Sequence, residues 1–83
     1  MRYAEIIAGR ITELCKQRKI SVNKLAAMSG LRQSTLDSIL HGISSNPTVK
    51  TLHRIATALN MTISEFLDFD EMNQYSFDDE SSD

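Results

Sequence analysis

Apolar positions along this chain fall in short groups spaced by three and four, the period of one helical face, and Gly, Asn-Pro or a capping hydroxyl separates the groups. Ile7, Ile11, Leu14 and Cys15 form the first stripe, which predicts a helix from about residue 4 to residue 18. Gly9 lies inside it and weakens it by roughly 1 kcal/mol relative to Ala. Ser21 is placed to cap a second helix running to about Met28, with Leu25, Ala26 and Met28 on its buried side. Gly30 suits a left-handed turn. A third helix from about Gln33 to Leu40 carries Leu36, Ile39 and Leu40 inward, and Gly42 closes it. Residues 43–47, Ile-Ser-Ser-Asn-Pro, read as a loop. Thr48 then opens a fourth helix whose Leu52, Ile55, Ala56 and Leu59 follow i, i+3, i+4, i+7, with Asn60 as a left-handed residue after it. Thr62 and Glu65 match the S/T-x-x-E capping box of a short fifth helix bearing Ile63, Phe66 and Leu67. No strand-like alternation of useful length occurs, so the expected fold class is all-α, with five short helices.

Eighty-three residues suffice for one domain, and 41% hydrophobic content allows a core without staples. Charge divides the chain more sharply than its net value of −2 suggests. Residues 1–60 hold all nine basic residues and three acidic ones, a formal +6, whereas residues 61–83 hold eight acidic residues and no basic ones, −8. A body suited to a polyanion is thus joined to an acidic tail that is not. The expected division is a domain over 1–67 and a tail over 68–83. The tail's composition predicts that much of it is disordered. Its Phe69, Met72, Tyr75 and Phe77 leave two docked arrangements open, against the body or against a second subunit.

The single cysteine, Cys15, excludes an intramolecular disulfide and a cysteine-based zinc site, and fits a reducing cytoplasm. It reads as a residue at or near the core, and the four methionines as core fillers. The N-terminal apolar run is too short for a signal peptide or membrane span. His41 and His53 fall on different predicted helices with no metal-ligand spacing to Cys15 or a carboxylate pair, and no nucleophile elbow or phosphate loop is present. No metal, cofactor, membrane association or enzyme activity is expected.

Residues 21–42 are the most informative stretch. Two short helices joined by a tight Gly-containing turn make a helix-turn-helix, in which the first helix props the second against the DNA major groove. A helix about 10–12 Å across suits a groove about 12 Å wide. Leu25-Ala26, Ser29-Gly30, Ser34-Thr35-Leu36, Gly42, Asn46-Pro47-Thr48, Thr51-Leu52, Ile55-Ala56, Ala58-Leu59 and Glu65-Phe66, in this order and spacing, resemble the lambda-repressor-like, Cro/cI-type (XRE-type) helix-turn-helix family. The resemblance implies a compact five-helix domain with helices 2 and 3 as the motif. It further implies double-stranded DNA as partner, a homodimer on paired half-sites, transcriptional repression, and a bacterial or phage-encoded cytoplasmic protein.

Carried over residue by residue, the resemblance puts Arg32, Gln33, Ser34 and Ser38 on the groove-facing side of helix 3. Their chemistry agrees, since Gln can bind adenine and Arg guanine bidentately, and Ser reads either base more loosely. Arg32 also has a phosphate contact or solvation open to it. Thr35 has three roles open: a cap, a phosphate contact, or an approach to a thymine methyl. Backbone contacts are expected at the N-termini of helices 2 and 4, from Ser21, Asn23 and Lys24 and from Asn46, Thr48 and Lys50, with plain solvation also open to the two lysines.

Three departures stand out. Val22 sits where the family often has a glutamine that clamps the DNA backbone. Asp37 places negative charge within the reading helix, to accept from a cytosine amino group or to face away and pair with a neighbouring base. The loop 43–46 has no Lys or Arg. Together they predict modest affinity for one subunit, and the edge formed by Phe66, Leu67 and Phe69 is the expected dimer surface. A different reading is a protein-interaction module or antitoxin that reuses the fold, its acidic tail engaging a partner or masking the DNA face.

Overall fold

The computed structural model describes residues 2–44 and 46–79. Helix α1, Tyr3–Arg18, starts where the Glu5 carboxylate accepts the Arg2 backbone N–H at 2.8 Å. It ends on Lys19, which adopts a left-handed backbone (φ 56°) so that the Ile20 N–H can reach the Cys15 carbonyl at 3.1 Å. The three predicted hydroxyl caps are in place. Ser21 Oγ accepts the Lys24 N–H at 3.0 Å at the start of α2, Val22–Ser29. Thr48 Oγ1 accepts the Thr51 N–H at 3.1 Å at the start of α4, Val49–Ala58. At α5, Ile63–Leu67, Thr62 and Glu65 complete a reciprocal box with bonds of 3.0 and 2.8 Å. Helix α3, Gln33–Leu40, follows Gly30 at φ 71°, and Asn60 is left-handed at φ 59°.

One face of each helix supplies the core. Ile7, Ile11 and Leu14 of α1 meet Leu25 of α2, Leu36 and Ile39 of α3, Leu52 and Ile55 of α4, Leu59, and Phe66 of α5. Burying one such side chain contributes about 1.5–3 kcal/mol. Helix α1 packs on α3, α2 on both α3 and α4, and α4 on α5. That arrangement presses α3 inward along Leu36 and Ile39 and leaves its opposite side free. Cys15 is buried as expected; desolvation pushes its thiol pKa up, partly countered by the charge of Arg18.

Two expectations are corrected. Residues 68–79, expected to be largely disordered, fold back as α6, Asp70–Asn73, and a 3-10 turn, Phe77–Asp79, with α6 packed on α1. The cause is a small cluster around Tyr3. The Tyr3 hydroxyl donates to Met72 Sδ at 3.4 Å, and Tyr3, Tyr75 and Phe77 form a ring cluster with centroids 5.0–5.8 Å apart. Residues 80–83, the rest of the predicted tail, lie outside the described residues. Met28 is no core filler: in the last turn of α2 it is 46% exposed, at the rim of a surface groove against α4.

Candidate nucleic-acid interface

Helix α3 begins at Arg32, whose extended backbone (φ −68°, ψ 145°) caps it without a side-chain hydrogen bond. Arg32, Gln33 and Ser34 are all exposed at this end. Ser38, one turn beyond Ser34 on the same face, is half-buried, as is Thr35. The side chains expected to read bases therefore sit on the outer half of a helix whose inner half is locked in the core.

Beside them runs a cleft lined by Thr35, Ser38 and Ile39 of α3, by Ser44, Asn46 and Pro47 of the loop, and by Thr48 and Thr51 at the start of α4. It gathers Thr35, Ser38, Asn46 and Thr48 from the expected set, and adds Ser44 and Thr51, which sequence reasoning missed. Thr48 donates its hydroxyl to Thr51 Oγ1 at 3.0 Å, so its own proton is engaged within the helix cap. The Ile43 and Ser44 N–H groups both bond the Ser38 carbonyl, at 2.9 and 3.0 Å, which ties the loop to α3.

The other expected residues are dispersed. Ser21, Asn23 and Lys24 are exposed around the α2 N-terminus. Lys50 does not join the hydroxyl cleft; it lines the α2–α4 groove with Met28, His53 and Arg54. Val22, the departure from the family's clamp, is half-buried and packs against the core. Asp37 accepts a hydrogen bond from Gln33 Nε2 at 3.0 Å, a pairing that the spacing of four permitted but the sequence reading did not make.

The expected dimer edge is also corrected. Phe66 is fully buried, and Leu67 packs against the core. The Arg10 guanidinium lies 4.8 Å from the Phe69 ring centroid and donates to the Phe66 and Glu65 carbonyls, both at 2.9 Å. Phe66 therefore drops out of that edge, which keeps only the half-buried Leu67 and Phe69. Helix α6 packs on α1, and Tyr75 and Phe77 on Tyr3, while Arg32, Gln33 and Ser34 stay exposed, so these elements do not cover the N-terminal end of α3.

Among the described residues, no helix is long and apolar enough to cross a membrane, and no group of three His, Cys, Asp or Glu could hold a metal ion. An outward-facing second helix, a hydroxyl-lined cleft at its side and three capped helix starts define a helix-turn-helix module. Residues 10–71 match the Cro/C1-type HTH DNA-binding domain, and the chain belongs to that family. It is 37% identical over 65 residues to the HTH-type transcriptional regulator SlrR of Bacillus subtilis, covering 77% of this chain and 43% of that protein. To SinR of the same organism it is 27% identical, over 84% of this chain and 63% of SinR. The chain thus spans about half the length of these relatives. Among solved structures, the prophage Lp1 protein 11 superposes with a TM-score of 0.80 at 29% identity, covering 90% of this chain and 100% of that one. An HTH_3 family transcriptional regulator from Vibrio cholerae gives 0.71 at 32% identity, over 78% of this chain and 36% of that chain.

Proposed function

We propose that the chain is a sequence-specific double-stranded DNA-binding transcriptional regulator, a repressor that acts as a homodimer on paired half-sites. The observation that carries the reading is the exposed cluster Arg32, Gln33 and Ser34 at the N-terminal end of α3, with Ser38 one turn along. These side chains offer the donors and acceptors that discriminate base edges in the major groove. Ser21, Asn23 and Lys24 on one side, and Thr35, Asn46, Thr48 and Lys50 on the other, are the proposed phosphate contacts that fix register. At Thr48 the contribution is the backbone N–H groups of the capped helix start, because its hydroxyl proton is engaged with Thr51.

Half-sites one helical turn apart are about 34–36 Å centre to centre. No dimension of the 36 × 24 × 21 Å body exceeds that spacing by more than about 2 Å, so two copies fit on adjacent half-sites without overlap. Repression then follows from occupancy of a site that polymerase needs. The test is selection from a pool of random duplexes by the full chain at two salt concentrations. The expected result is enrichment of a short inverted repeat, with affinity that falls steeply as salt rises. No enriched sequence at either salt would overturn the reading and favour a protein partner instead.

A further inference from the structure

Gln33 and Asp37 stand four residues apart on the outer face of α3, and Gln33 Nε2 donates to Asp37 Oδ1 at 3.0 Å. A carboxylate has only acceptors, so the amide must turn its nitrogen toward Asp37 and its oxygen away. One Nε2 proton is then spent inside the helix, and the other remains available beside Oε1. The outward edge of Gln33 becomes one acceptor next to one donor.

We infer that Asp37 is a specificity-determining residue that holds the Gln33 amide in the orientation complementary to adenine and hostile to guanine. The inference rests on the DNA-binding reading above. In the major groove adenine offers the N6 amino donor and the N7 acceptor, which match Oε1 and the remaining Nε2 proton. Guanine offers two acceptors, O6 and N7. Satisfying both takes two Nε2 protons, one of which Asp37 already holds, and Oε1 would face O6 with no proton between them. A free glutamine could swing to donate both protons; a glutamine tied to a carboxylate cannot do so without breaking the tie.

Asp37 also has a cost, because a carboxylate on the reading helix repels every phosphate nearby whatever the sequence. Its removal therefore shifts two observables in opposite directions. Affinity for random duplex rises, while preference for adenine over guanine at one base pair per half-site falls. A residue that merely stabilised α3 would not separate the two. Asp37→Asn sharpens the test, since its amide can accept from Nε2 or donate to Oε1 and so permits either orientation of Gln33.

The experiment measures binding of the wild type, Asp37→Asn, Asp37→Ala, Gln33→Ala and the double variant Gln33→Ala/Asp37→Ala to every single-base variant of the selected operator. Thermal melts confirm that each variant is folded. The expected result is a loss of about tenfold in adenine-over-guanine preference at one position in both Asp37 variants, with other positions unchanged. That effect should vanish in the Gln33→Ala background. Unchanged preference in both Asp37 variants, or a loss that persists without Gln33, overturns the inference and leaves the DNA-binding reading intact. Wild type that discriminates at no position overturns both.

Discussion

A methyl group added at Gly9 and one added at Gly30 meet different constraints. Gly9 is exposed in mid-helix, and a Cβ there would have nothing within 4 Å, so its only effect is the backbone freedom it loses on folding. Gly9→Ala should stabilise the protein by about 0.5–1 kcal/mol, read as a higher urea midpoint. Gly30 sits at φ 71°, where an L side chain is strained, so Gly30→Ala should destabilise by about 1–2 kcal/mol. Equal effects of the two substitutions would contradict the backbone assignment. At this scale the sequence was partly legible. Gly30 and Asn60 announce left-handed positions, but Lys19 takes the same conformation with no cue, because a lysine there is tolerated only through the bonds that the α1 C-terminus makes.

Elements were legible where period and cap agreed. Ser21, Thr48 and Thr62 each stand directly before an apolar stripe, and each proves to be a cap because a short side-chain oxygen there satisfies a free N–H. What joins distant elements was not legible. Arg10 reaches the carbonyls that end α5, and a backbone carbonyl carries no sequence signature at a separation of 55 or 56 residues. Arg10→Ala should therefore lower stability by about 2 kcal/mol through lost charged hydrogen bonds and the contact with Phe69. Arg10→Lys should rescue little, since one ammonium cannot reproduce the paired guanidinium bonds. Full stability in Arg10→Ala would show that α5 is held by its apolar face alone.

Over the whole molecule, composition misled at the C-terminal end. Averaging the acids of 68–83 hid four apolar side chains, of which Met72, Tyr75 and Phe77 converge on Tyr3. Truncation after Leu67 and the point change Tyr3→Ala should both cost about 2 kcal/mol, as loss of aromatic pairs worth about 0.5–1.5 kcal/mol each requires. An unpacked tail would leave the melting temperature unchanged in both. The charge division itself was readable at once, and it separates an acidic segment beside α1 from an α3 N-terminal end that remains exposed.

The function proposed above assigns base reading to α3 and phosphate contacts to its neighbours. The most direct measurement compares Gln33→Ala, Ser34→Ala and Lys24→Ala on all single-base variants of a selected operator. Gln33→Ala and Ser34→Ala should flatten discrimination at particular base pairs, by about 1–3 kcal/mol for Gln33. Lys24→Ala should weaken binding uniformly and make the salt dependence shallower. Uniform weakening by Gln33→Ala and Ser34→Ala, with discrimination intact at every position, would contradict that assignment.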